Sequence, residues 1–229
     1  MKHELFEKDF HDFYKKFIVS FTYNSNKAEG SKTKKGDIEK IDPRATKKPK
    51  TKTEIEIMNS FASFNHAFSD DMEWNLKNIR HIHKLLLDEL DPVIAGQWKN
   101  ENNVAPSNDE TTDFKEVQEA MSNLVDWLKV ETKKGAYPPV LALEFYCKFE
   151  KIHPFLDGNG RVGRILLNAI LDKFGHPPVI FFAENKTEHS AALRAFLKGR
   201  PMKMYKHFLN QFKRTYKDLG NGLIESKGD

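Results

Sequence analysis

A chain of 229 residues with 39% hydrophobic content and 18 phenylalanines is long enough for one well-buried domain with a small appendage. Its formal charge of +4 comes largely from one lysine-rich segment and does not imply a nucleic-acid binder. The single cysteine, Cys147, excludes an internal disulfide framework; no apolar run reaches transmembrane length, and an N-terminus carrying Glu4, Glu7 and Asp9 is unlike a signal peptide. A soluble cytoplasmic protein, without membrane or nucleic-acid partners, is the expectation.

The first segment places Phe6, Phe10, Phe13, Phe17 and Phe21 on one helical face that needs a partner to bury it. After Gly30 the composition changes. Residues 31–53 hold many lysines, two prolines and little apolar content, which reads as a solvated linker or excursion. A nuclear-localisation or nucleic-acid reading of Lys47, Lys48, Lys50 and Lys52 competes there with plain solvated surface, the ordinary use of such clusters.

Helical periodicity resumes with Ile57, Phe61, Phe64 and Phe68, then with Ile79, Ile82, Leu86 and Leu90, and Asp91-Pro92 ends that run. Residues 93–106, with Gly, Asn and Pro among short apolar pieces, fit a small hairpin or loop. Helix returns through Phe114, Val117, Met121, Leu124, Val125 and Leu128, again from Leu141 to Phe149, and in the tail through Tyr205, Phe208, Leu209, Phe212, Tyr216 and Leu219. The expected fold is all-α with one minor β element.

Residues 153–164 read HPFLDGNGRVGR. Leu141, Phe145, Phe149 and Ile152 mark a core-facing helix that delivers His153 at its end, and Pro154 forbids smooth continuation. Ile165 to Leu171 are apolar on nearly every side, as in a buried helix. Between the two helices, Asp157-Gly158-Asn159-Gly160 can turn backbone N–H groups toward a ligand, and the next helix adds the positive end of its dipole. An anion site follows. Arg161 and Arg164, three apart, suit phosphate oxygens. Asp157 would repel phosphate unless a divalent cation such as Mg2+ lies between them. His153, with an ordinary pKa near ~6.5, can accept a hydroxyl proton. Singly, each residue has a structural use; together they suggest group transfer from a nucleotide.

HPFLDGNGRVGR resembles the signature of Fic-domain proteins, HxFx(D/E)GNGRxxR, at every fixed position, and the resemblance extends from about residue 54 to about residue 215. It implies a Fic-type helical domain with a small β-hairpin flap over the active site. It also implies transfer of AMP from ATP to a Tyr, Thr or Ser hydroxyl of a target protein, self-modification included. On this resemblance His153 deprotonates the target hydroxyl and Asp157 holds Mg2+. Gly158, Asn159 and Gly160 cradle the phosphates, with Asn159 on the α-phosphate. Arg161 assists, Arg164 clamps the γ-phosphate, and Phe155 anchors the loop. Residues 93–106 match the place of the flap, through Gly96, Gln97, Trp98 and Val104, with Lys99 where relatives often carry arginine. Residues 183–194 fall at the adenosine pocket, with Asn185 and His189 as candidates.

Upstream, residues 25–30 (SNKAEG) fit the family's inhibitory pattern, (S/T)xxxE(G/N), so Ser25 and Glu29 are candidate inhibitory residues and a Glu29–Arg164 salt bridge is expected. The resulting division is an N-terminal helix and inhibitory segment over 1–30, a lysine-rich linker over 31–53, a Fic core over 54–219 and a tail over 220–229. The rivals are a Doc-like phosphotransferase, which carries lysine where Arg161 stands, transfer of UMP or phosphocholine, an AMP-removing enzyme, and a non-catalytic interaction protein of the same fold.

Overall fold

The protein is described by a computed structural model covering residues 2–44, 48–104 and 110–224, with side chains from 13 to 219 within those spans. Phe6 and Phe10 of the N-terminal stripe, Lys47, residues 105–106 of the expected hairpin and the end of the tail lie outside the described side chains.

Among the described residues the chain forms α1 (Lys2–Ala28), α2 (Lys35–Glu39), α3 (Lys52–Ala67), α4 (Leu76–Leu87), α5 (Val117–Lys133), α6 (Pro138–Ile152), α7 (Asn159–Lys173), α8 (Lys186–Leu197) and α9 (Met202–Ile224), with a 3₁₀ turn over Ala183–Asn185. The starts of α3 and α4 follow local chemistry: Thr51 and Asn75 stand at the N-caps and accept from Glu54 N and Asn78 N. Pro138 and Pro139 open α6, where a missing N–H costs nothing. No helix among the described residues is long and apolar enough to cross a membrane.

At the centre lies α7. Every residue from Arg161 to Leu171 is buried, matching the all-round apolar run that the sequence carries there. It packs most heavily on α6, and also on α1, α3 and α4. The phenylalanine stripe of α1 finds its cover in a ring cluster: Phe17 and Phe21 lie 5.9 and 5.2 Å from the Phe64 ring, and Phe64 stacks on Phe68 at 3.9 Å. This packing fixes the C-terminal end of α1 against the start of α7.

Two expectations need correction. The segment after Gly30 is not wholly solvated. Ile38 and Ile41, three apart, are buried at 0% and 4% exposure, and Thr33 and Ser31 donate to Glu56 Oε2. Ile38 in α2 and Ile41 just after it bury apolar area, and α2 packs on α1. Over the expected hairpin at 93–106, residues 92–96 instead form turns, and among the described residues the β structure is an isolated antiparallel bridge between Val104 and Glu110.

Candidate active site

His153 is the residue that ends α6, and it does so in the left-handed region at φ 50°. For a histidine this is an uncommon backbone conformation that its surroundings must hold in place. Its N–H bonds Phe149 O, and Pro154 then breaks the helix. The turn that follows is closed by Asn159, whose Oδ1 accepts from Phe155 N at 2.9 Å and whose Nδ2 donates to Phe155 O at 2.7 Å. Gly158, at φ 78°, supplies the left-handed step into α7 that a side chain would strain. The first N–H groups of α7 have no intrahelical carbonyl, and they add to the helix dipole at this end.

Beneath the loop sits His83, fully buried and missed by the sequence reading. Its ring stacks on Phe155 at 3.7 Å and 1°, with Trp98 packed on Phe155 at 5.0 Å. Nδ1 accepts from Gly96 N at 2.9 Å, so Nε2 carries the proton and donates to Asp157 O at 3.0 Å. Burial pushes its pKa down to about 4, which keeps that tautomer neutral. The signal was available, because His83 falls beside Ile79, Ile82 and Leu86 on the apolar face of α4.

His153, Asp157, Gly158, Asn159, Gly160 and Arg164 line one cavity of about 300 Å³, together with Glu29 and, at its far end, Phe181, Phe182, His189 and Leu193. Burial, and next the charge of Lys99, push the His153 pKa down to about 4, so the ring is neutral at pH 7. Lys99 is 2% exposed and ties the loop to the neighbouring segment. Its N–H bonds Pro154 O, and its Nζ donates to Asn103 Oδ1, Thr111 Oγ1 and Ile152 O. Burial holds Lys99 itself at about 8, against the raising effect of Asp113. Replacing Lys99 with methionine should therefore raise the His153 pKa below pH 8, since the loss of a nearby positive charge favours the protonated ring. An NMR titration of the His153 ring protons measures the shift, and an unmoved midpoint would contradict this electrostatic coupling.

Arg164 is 5% exposed and fully engaged by the end of α1. Nε donates to Ser25 Oγ at 3.1 Å, and Nη2 donates to Ser25 O at 3.0 Å and to Glu29 Oε1 at 2.6 Å. The Glu29–Arg164 pair expected from the sequence is formed. Burial raises the Glu29 carboxyl, but Arg164, together with Arg161 and Lys186, lowers its pKa overall. Around this pair α1 is held independently by Asn26 bonded to Ser60, by Asn24 Oδ1 accepting from Ala183 N, and by Lys186 Nζ on Ala28 O.

Five sequence-derived residues stand elsewhere than expected. The Asn159 side chain has both polar ends occupied by Phe155, so toward a ligand it offers its backbone N–H. Arg161 donates to Asp157 Oδ2 at 2.9 Å, one helical turn back, and lines a second cavity of about 580 Å³ across Glu29 from the first. Gln97 and Trp98 do not line the first cavity. Arg80 holds Gly96 O and Gln97 Oε1 and lies over the Trp98 ring, which places both residues on the outer side of the loop. Val104 reaches the cavity instead, and Gly96 serves as the donor to His83. Asn185 bonds Gln211 and Arg214, outside the cavity that His189 lines.

Residues 73–171, the span that holds α4 to α7 and the whole loop, match the Fic/DOC family. Over those residues the chain is similar to Fic-domain proteins. It is similar to the protein adenylyltransferase fic-1 of Caenorhabditis elegans, 34% identical over 135 residues that make up 58% of this chain and 26% of that one. It is also similar to the protein adenylyltransferase Fic of Drosophila willistoni, 29% identical over 135 residues, 59% of this chain and 27% of that one. The chain thus spans about a quarter of the length of these curated relatives. Among solved structures, a Fic domain containing signaling protein from Bacteroides thetaiotaomicron superposes with a TM-score of 0.77 at 23% identity, covering 94% of this chain and 91% of that one. Fic-1 of C. elegans gives 0.77 at 24% identity, covering 91% and 64%. The likeness in fold therefore extends well beyond residues 73–171.

Proposed function

We propose that the protein transfers AMP from ATP to a hydroxyl side chain of a target protein, and that Glu29 restrains this activity. The observation that carries the reading is the convergence, on one cavity, of a neutral histidine, a glycine-lined helix N-terminus and a buried arginine whose present partner is a carboxylate. The names of the relatives, protein adenylyltransferases, support the choice of AMP as the group moved.

On this reading the target hydroxyl oxygen attacks the α-phosphorus and gives its proton to His153. The new O–P bond forms as the bond to the bridging oxygen breaks, and pyrophosphate leaves. The backbone N–H groups at the start of α7 hold phosphate oxygens, and Arg164 orients the departing phosphates once Glu29 has released it. Positioning and charge neutralisation supply most of the acceleration.

A Mg2+ ion fits Asp157. The side chain is 64% exposed and offers hard carboxylate oxygens beside the cradle, and no cluster of three acidic, histidine or cysteine ligands exists among the described residues, so substrate phosphates would complete its shell. Such an ion would neutralise phosphate charge there. In the same reading residues 1–30 are the restraint, 31–53 the connection, 54–219 the catalytic core and 220–229 a tail. The buried thiol of Cys147 is compatible with a cytoplasmic setting.

Incubation of the Glu29→Gly protein with Mg2+ and ATP labelled at either the α- or the γ-phosphate tests the proposal. Label from the α-position alone should become bound to protein, whether to a target or to the protein itself. Label from the γ-position would instead favour Doc-like phosphotransfer.

A further inference from the structure

Glu150 lies on α6 one turn before His153, lines the same cavity and is 5% exposed. Its Oε1 has no hydrogen-bond partner among the described residues. Its Oε2 is 3.7 Å from His153 Nδ1, too far for a hydrogen bond. Arg164, the nearby cation, is committed to Ser25 and Glu29. A buried carboxyl left without a partner is costly, and such groups are retained where a ligand completes them.

The position of Glu150 along the cavity indicates which part of a ligand it meets. At the N-terminus of α7, Gly160 stands against Glu29 and Arg164, the phosphate end. One turn further on, Gly163 stands against Glu150 and Tyr146, where an added Cβ would come within 2.9 Å of Glu150 Oε1. Beyond them the wall is Phe181, Phe182 and Leu193, which suits a flat base. Tyr146 already bonds His189, so its hydroxyl is satisfied. A nucleotide stretched between the two ends passes its sugar over Glu150.

Resting on the nucleotide reading above, we propose that Glu150 hydrogen-bonds a ribose hydroxyl and makes the site selective for ribonucleotides. Burial pushes the carboxyl up to about 8, against the lowering effect of Arg164, with Glu29 adding to the rise. A neutral carboxyl spares the phosphates a repulsive neighbour and can both accept from and donate to a hydroxyl.

The test is equilibrium binding of ATP, 2′-deoxy-ATP and 3′-deoxy-ATP to the Glu29→Gly protein, alone and with Glu150→Gln or Glu150→Leu. One deoxynucleotide should bind the Glu29→Gly protein about tenfold or more weakly than ATP. Glutamine, which keeps an acceptor and a donor, should preserve that preference, whereas leucine should erase it. Equal affinity for all three nucleotides in the Glu29→Gly protein overturns the proposal, as does an undiminished preference in the leucine variant. The first comparison needs no change at residue 150 and can overturn the proposal by itself, and the glutamine variant, which should keep the preference, supports the assignment to Glu150 together with its loss in the leucine variant. Failure to bind ATP at all would sink the nucleotide reading itself, whereas ATP binding without a hydroxyl preference removes only the role of Glu150.

Discussion

Replacing Glu29 with glycine should raise the rate of AMP transfer by roughly ten- to a hundred-fold. The carboxylate holds Arg164 at 2.6 Å in a largely buried site, with 24% of the Glu29 side chain exposed. A charge-assisted hydrogen bond of this kind contributes about 1.5–3 kcal/mol, and a nucleotide phosphate must displace it to reach the same guanidinium. Removing the carboxylate also removes a negative charge from the phosphate end of the cavity. The substitution should leave the fold intact, because α1 stays anchored by Phe17 and Phe21 in the core and by the bonds of Asn24, Ser25 and Asn26. Arg164 keeps its two bonds to Ser25. A thermal melt close to wild type with a faster single-turnover rate is the expected pair of results. A faster rate accompanied by loss of α1 packing would mean that the whole helix, rather than one carboxylate, restrains the site.

His153→Ala in the Glu29→Gly background should lower transfer by about 10²–10⁴-fold, the usual contribution of a positioned general base. The environment supports that role, because a ring with a pKa near 4 is free of its proton throughout the neutral range. Transfer should accordingly stay flat from neutral pH downward and fall only as the ring becomes protonated. ATP binding should persist in the alanine variant, since the cradle and Arg164 are untouched. Parallel loss of binding and transfer would instead assign His153 to holding the loop, a real alternative for a residue held at φ 50°.

Much of this site was legible because its chemistry is contiguous. Twelve residues at the end of α6 and the start of α7 carry the proposed base, the proposed cradle and Arg164, and the apolar periodicity around them located both helices. The partner of Arg164 was legible through the short pattern around Glu29, although 135 positions separate the two residues. What escaped the reading depends on which way a side chain turns. Spacing puts Arg161 and Arg164 at neighbouring positions of one face of α7, but Asp157 draws Arg161 to the other side of Glu29. Asn159 looks like a phosphate ligand until Phe155 is found to use both ends of its amide. Gln97 and Trp98 take a flap role only from the resemblance, whereas the stacking of Trp98 on Phe155 and the grip of Arg80 hold them away from the first cavity. His83 stands out in the sequence only as a polar residue on the apolar face of α4, while its bonds to Gly96 N and Asp157 O follow no spacing.

The central claim is that Arg164 has two competing partners, Glu29 and the nucleotide. Single-turnover transfer from α-labelled ATP by four proteins, namely wild type, Glu29→Gly, Arg164→Ala and the double variant, tests it most directly. If the two partners compete, Glu29→Gly activates strongly when Arg164 is present and has no effect when Arg164 is alanine. Equal activation in both backgrounds would contradict the claim and show that Glu29 restrains the site without acting through Arg164.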